Sequence, residues 1–207
     1  MIKNKSEIIN ILINIGAISI NTENKYWWTS GILSPIYIDN RLIFNYPKER
    51  NIIENSLANL IKEKFPEVTK IVGVATAGIG HGALVADILE LPFAYSRTSQ
   101  KEHGKKNMIE GKIENDDKIV IVEDLISTGK SVKIVVEEMN MHNYNVIGAV
   151  SIFTYNLLKS RNCFKELNIQ SYSLVDSDIL VESLKANKNF SKSQVEEVYN
   201  FLTHLKG

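Results

Sequence analysis

The chain has 207 residues, 44% of them hydrophobic and 23% charged, a length and balance that suit one globular domain with a sizeable core. Lys plus Arg and Asp plus Glu both number 24, so no net field draws nucleic acid or an acidic membrane, and any anion site has to be local. The single cysteine, Cys163, excludes an intramolecular disulfide framework and a multi-cysteine zinc site, in keeping with a reducing compartment.

Near the N-terminus the apolar residues are broken by Asn10, Asn14 and Gly16, which leaves no signal-peptide core. No stretch approaches the roughly 18 uninterrupted apolar residues of a membrane-spanning helix, and the chain reads as cytoplasmic. Ser6 to Ile15 place Ile8, Ile9, Leu12 and Ile15 at helical spacing behind Ser6 as the expected cap, with Gly16 as a stop. From Tyr26 to Leu42 the pattern turns short and strand-like, punctuated by Gly31 and Pro35, and predicts a small irregular hood. Pro47 opens a helix whose apolar face is Ile53, Leu57, Leu60, Ile61 and Phe65, ended by Pro66. Strands are expected at Lys70 to Ala75, Pro92 to Ser96, Lys118 to Val122 and Val146 to Phe153, with helices at Gly80 to Leu89 and Lys130 to Met141. Continuous Ile/Val runs spaced by helices indicate an α/β fold, a mainly parallel twisted sheet flanked by helices. Ser191 to Leu205 predict a closing amphipathic helix. A single domain is expected over 1–207, with about 1–45 as helix and hood and about 46–207 as the core.

Ligands of such sheets bind beyond the carboxyl ends of the strands, which draws attention to Val120-Ile-Val-Glu-Asp-Leu-Ile-Ser-Thr-Gly-Lys-Ser131. Glu123 and Asp124 at a strand end can accept hydrogen bonds from the vicinal hydroxyls of a ribose. The Ser127-Thr128-Gly129 turn at a helix start presents N–H and hydroxyl donors to a phosphate, where the helix dipole also favours negative charge. Simple helix capping explains part of this pattern, but not ten ordered positions. A Walker loop is excluded, because Asp124 stands where its first glycine belongs. Gly78-Ile-Gly80-His-Gly-Ala83 satisfies the loose dinucleotide pattern, yet the next strand ends in Ser96-Arg97 and not in an acid. Ala75 to Gly78 is therefore read as a tight turn. The polar run from Arg97 to Gly111 is long for a loop in a compact domain, which marks it as functional. Arg97, Lys101 and His103 suit it for stabilising a departing anion.

The doublet and its loop resemble the phosphoribosyl diphosphate motif of type I phosphoribosyltransferases. Arg97-x-x-x-Lys101-x-His103-Gly104 resembles the R-x-x-x-K-x-H-G loop of the orotate phosphoribosyltransferases, and Ser30 to Arg41 their S-G-x-x-S-P-x-Y-x-D-x-R segment. The resemblance implies transfer of phosphoribose from phosphoribosyl diphosphate to orotate. Arg97, Lys101, His103, Glu123 and Asp124 would be catalytic. Those five, with Leu125, Ile126, Ser127, Thr128, Gly129, Lys130 and Ser131, would bind the phosphoribosyl diphosphate, the Ala75 to Gly78 turn would contact its diphosphate, and Ser127 would hydrogen-bond orotate. It also implies Mg²⁺ held mainly by the substrate, with no ligand assigned to a protein side chain, and a homodimer sharing its loops. Some members carry a lysine directly after the loop arginine, a lysine just before Ser-Gly, and an arginine after the strand that follows the phosphate loop. Here those places hold Thr98, Thr29 and Phe153-Thr-Tyr155. A purine phosphoribosyltransferase and a nucleic-acid-binding regulator of the same fold are the alternatives, disfavoured by the hood and by zero net charge respectively. Trp27, Trp28 and Tyr37 are read as packing residues. No partner is assigned to His81, His142 or His204.

Overall fold

The computed structural model describes residues 4–28, 30–97 and 108–206. The chain begins with helix α1, Lys5–Asn14, which buries Ile8, Ile9 and Leu12. Its cap is Asn4, not Ser6. The Asn4 side chain accepts the Ser6 N–H at 3.2 Å, which moves Ser6 into the first turn. Two small antiparallel pairs follow, β1 (Ile18–Ile20) with β4 (Ile36–Ile38) and β2 (Tyr26–Trp27) with β3 (Leu33–Ser34), and then a 3-10 helix at Asn40–Asn45. Together they form the hood expected from the punctuated sequence. Helix α2, Pro47–Lys64, starts on its proline and buries Ile53, Leu57 and Ile61 as the spacing requires.

The main sheet has six strands in the order β10-β9-β8-β5-β6-β7. They are β5 (Lys70–Gly73), β6 (Phe93–Ser96), β7 (Ile109–Glu110), β8 (Lys118–Ile126), β9 (Asn145–Thr154) and β10 (Gln170–Asp176). Every neighbouring pair is parallel except β6 with β7. Helices α3 (Ala77–Leu89), α4 (Lys130–Met141), α5 (Leu158–Glu166), α6 (Ser177–Ala186) and α7 (Lys192–Lys206) complete the chain. One apolar cluster joins Ile8, Leu57, Val85, Val120, Leu180 and Val198, so α1, α2, α3, α6 and α7 share one face. Val132, Val136 and Met139 of α4 and Phe164 of α5 cover the other. The α/β reading holds, with helices on both faces of a mainly parallel sheet. Among the described residues, no helix is long and apolar enough to cross a membrane.

Two boundaries differ from expectation by more than two residues. Strand β8 runs on through Glu123 and Asp124 to Ile126, because β9 continues to pair with it, so the acids lie within a strand and not after one. Helix α3 starts at Ala77, one turn earlier than Gly80. Strand β10 and helices α5 and α6 had no assignment in the sequence. β10 is a sheet edge and alternates polar with apolar residues, which blurs its signal.

At the amino ends of β5 and β8, far from the ligand side of the sheet, Lys70 and Asp117 form a buried ion pair. Lys70 Nζ also donates to the Lys112 carbonyl at 2.8 Å, and Asp117 accepts from the Glu114 N–H at 2.7 Å. Burial pushes the Asp117 carboxyl up, but the hydrogen bonds from Lys70 and Glu114 outweigh it and leave its pKa below the usual carboxylate range. A depressed carboxyl stabilises the fold above its unfolded pKa and loses that contribution as pH falls through the folded value. Asp117→Asn is expected to cost about 3 kcal/mol at pH 7 by leaving Lys70 a buried charge without its counter-ion. Urea unfolding should show the gap between wild type and variant closing below about pH 4.

Candidate active site

The acidic doublet sits on the central strand β8. Glu123 is only 6% exposed and its Oε1 accepts the Asp124 N–H at 2.9 Å, whereas Asp124 is half-buried. Burial, then the hydrogen bond and like charge of the adjoining Asp124 side chain, push the Glu123 carboxyl well above its ordinary range. The two acids thus form an interacting pair at the end of a parallel sheet, where one proton is held more tightly than on an isolated carboxyl.

On one side of the doublet lies the turn between β5 and α3. Val74 N–H donates to the Val122 carbonyl at 2.9 Å, continuing the β5–β8 register, and Ala75 N–H donates to Ser96 Oγ at 3.0 Å. The Ala75–Thr76 peptide is cis. Gly78 then passes so close to β8 that a Cβ on it would meet the Val122 carbonyl oxygen at 2.5 Å and Glu123 Oε1 at 3.3 Å. Only glycine allows the first turn of α3 to approach there.

On the other side is the 3-10 helix of the hood. Asn40, fully buried, donates from Nδ2 to the Asp124 carbonyl at 2.8 Å. Its neighbours Asp39 and Arg41 make a bidentate pair at 2.6 and 2.7 Å. That pair holds the Asp39 carboxyl below its usual range and raises Arg41, to which the charges of Tyr37 and Asp124 contribute further. The Tyr26 and Tyr37 rings lie 5.6 Å apart. Of the three aromatics read as packing residues, Trp28 fits, with its rings against Tyr155 and Phe201 and its Nε1 donating to the Ile36 carbonyl. Trp27, at 71% exposed on the short β2–β3 pair, and Tyr37, at 38% on the β1–β4 pair, are surface rings.

Beyond the doublet, the side chains of Leu125 and Ile126 join the two apolar clusters, which leaves only their backbone for a ligand. Thr154 Oγ1 and Tyr155 N–H both donate to the Ile126 carbonyl at 3.1 Å and fix where β8 gives way to the Ser127-Thr128-Gly129 turn. Gly129 has φ 81, and helix α4 begins on it without a side-chain cap. The first turn of α4 is therefore left without a side-chain acceptor, an arrangement to which an anion can bind, and Lys130 and Ser131 beside it are exposed. Buried Cys163 of α5 packs beneath this turn, its S–H donating to the Gly129 carbonyl at 3.8 Å.

Arg97 follows β6, its N–H donating to the Met108 carbonyl and its Nη1 to Glu110 at 3.0 Å. A cleft of about 210 Å³ is lined by Val74, Ala75, Ser96, Arg97, Ser131 and Ile134. Three segments singled out separately in the sequence thus share one concavity: the Ala75 turn, the arginine of the loop and the start of α4. Lys101, His103, Thr98 and Thr29 lie outside the described residues. Asn40, Ser96 and Thr154 had no place in the sequence reading. A fully buried Asn inside a hood motif is a signal that burial reveals and composition does not. Among the described residues, no group of three or more His, Cys, Asp or Glu side chains could hold a metal ion.

The family model for the phosphoribosyl transferase domain matches residues 43–179. The orotate phosphoribosyltransferase of Fusobacterium nucleatum subsp. nucleatum is 46% identical over 181 residues, 86% of each chain. The chain belongs to the orotate phosphoribosyltransferase family. The Staphylococcus aureus member is 42% identical over 199 residues, 96% of this chain and 98% of its own. Among solved structures, Leishmania donovani UMP synthase has the same fold, with a TM-score of 0.83 at 21% identity over 98% of this chain, which spans 43% of that one.

The interaction between the two carboxyls has a direct readout. In a ¹³C NMR titration Glu123 should titrate above the ordinary value of 4.5, and Asp124→Asn, which removes the neighbouring negative charge, should lower it. A Glu123 titration that the substitution leaves in place contradicts the contact.

Proposed function

We propose that the chain transfers the phosphoribosyl group of 5-phosphoribosyl 1-diphosphate to orotate, giving orotidine 5′-phosphate and diphosphate in pyrimidine synthesis. One observation supports the reading beyond the family match: the Ala75 turn, Arg97 and Ser131 line one cleft, and the same turn sets Gly78 against Glu123 of the doublet. Ribose hydroxyls donate to Glu123 and Asp124, and the 5′-phosphate accepts from the uncapped N–H groups at the start of α4. The diphosphate lies toward the Ala75 to Gly78 turn and Arg97, with Lys101 and His103 of the loop closing on it. As the bond from C1 to the diphosphate oxygen lengthens, positive charge grows on the sugar and negative charge on the leaving group. The loop cations stabilise the second, and N1 of orotate then bonds to C1 and gives up its proton.

The hard carboxylate oxygens of Glu123 and Asp124 fit a hard divalent cation such as Mg²⁺, and these two residues would meet one that arrives with the substrate. When bound, the ion would neutralise phosphate charge, while Glu123 and Asp124 orient the ribose hydroxyls. For the base, Ser127 hydrogen-bonds the ring, and the exposed Tyr37 face beside Tyr26 offers a flat surface. With Thr29 and Thr154 where relatives carry cations, Arg41 is the hood cation in the field of Asp124.

The same reading takes the chain as one domain acting in the cytoplasm, and as a homodimer in which the loop of each subunit closes over the other's site. Steady-state assays with orotate, adenine, hypoxanthine and uracil test it. Turnover is expected with orotate alone. Turnover of a purine with orotate inert would overturn the choice of base.

A further inference from the structure

Behind the doublet lies a buried acid–imidazole pair that the proposed chemistry does not use. Glu54 of α2 is 1% exposed and His81 of α3 is 0% exposed, with His81 Nδ1 2.6 Å from Glu54 Oε1. The His81 ring stacks on Phe44 of the 3-10 helix, centroids 4.4 Å apart. The packing there is tight, since a Cβ on Gly80 would come within 2.5 Å of the Phe44 ring. Burial pushes the Glu54 carboxyl up, while the His81 bond and the charge of Arg50 pull the other way.

Buried polar atoms without partners are uncommon, and each asks for a reason. Among the described residues five side-chain atoms are in that state. Four belong to this region, Asn40 Oδ1, Arg50 Nε, Glu54 Oε2 and His81 Nε2, and the fifth is Ser183 Oγ. An apolar pair would join α2 to α3 at lower cost, so contact between helices does not account for the polar one.

Two short routes lead from the pair to the doublet. The 3-10 helix that carries Phe44 begins at Asn40, which holds the Asp124 carbonyl. Helix α3 carries His81 one turn after Gly78, the residue set against Val122 and Glu123. Both of these elements are therefore tied to α2 through His81. We propose that Glu54 and His81 are positioning residues for the phosphoribosyl diphosphate site: their hydrogen bond and the stack of His81 on Phe44 set α3 and the 3-10 helix against Glu123 and Asp124.

The inference rests on the reading of the doublet as the ribose holder. Its test is a Glu54→Met/His81→Phe double variant, which replaces the pair with apolar groups of similar size and keeps a ring on Phe44. Phosphoribosyl diphosphate binding is measured by calorimetry, and KM for both substrates by initial rates. The folded double variant is expected to bind phosphoribosyl diphosphate about tenfold more weakly, with a smaller rise in KM for orotate, whose proposed contacts lie only partly on the 3-10 helix. His81→Asn, whose amide can donate from near the Nδ1 position but which has no ring for Phe44, should lose less affinity than the double variant. Unchanged phosphoribosyl diphosphate affinity in the double variant overturns the proposal, as does an equal loss for both substrates, which marks a general structural defect. Should the double variant fail to fold, His81→Leu against His81→Asn makes the same comparison, and equal affinities in the two overturn it. Wild-type protein that does not bind phosphoribosyl diphosphate would instead sink the functional reading itself.

Discussion

The site depends on one close approach, that of Gly78 at the start of α3 to the backbone of β8 at Val122 and Glu123. Strand β5 pairs with β8 in parallel up to Gly73 and Val122, and the next N–H, that of Val74, still bonds to the Val122 carbonyl. The chain must then turn from sheet to helix within three residues, directly over the strand that carries both acids. A side chain at 78 would force the turn away from Glu123 and open the gap that the substrate is meant to bridge. The hood reaches the doublet from the opposite direction through Asn40. The acids, the turn and the hood are therefore fixed relative to one another through contacts to the backbone of β8.

The two ends of the sheet spend their polar groups differently. At the amino ends of β5 and β8, Lys70, Asp117, Thr69 and Glu114 satisfy one another in a closed network. At the carboxyl ends, groups are left poised: a doublet in which burial and neighbouring charge keep one carboxyl reluctant to ionise, and a helix start without a side-chain cap. In a chain with zero formal net charge, affinity for a highly charged substrate has to come from such local arrangements, since the long-range field supplies none.

Much of this was legible because the determining interactions are local in sequence. Helix α4 falls on Lys130–Met141 as the periodicity predicts, and the order from strand through acids to Ser-Thr-Gly describes consecutive backbone. What escaped depends on residues far apart. Strand β8 extends past Val122 because β9 offers partners there, which no property of Glu123 or Asp124 announces. Edge strand β10 is half polar because one side lacks a neighbouring strand. Trp27 and Tyr37 look like core residues by type, yet each lies exposed on a small two-stranded pair of the hood. His81 had no visible partner because Glu54 stands 27 positions away on another helix. Asn40 bonds to a carbonyl 84 positions on, in the middle of the site.

The account stands most directly on the approach of α3 to β8, and Gly78→Ala tests it. Calorimetric titration with phosphoribosyl diphosphate, on protein whose circular dichroism matches wild type, is the measurement. Displacing the turn by the roughly 1 Å that a Cβ requires is expected to weaken binding and turnover by about a hundredfold. A folded Gly78→Ala variant that binds and turns over as wild type would contradict the claim that this contact sets the site.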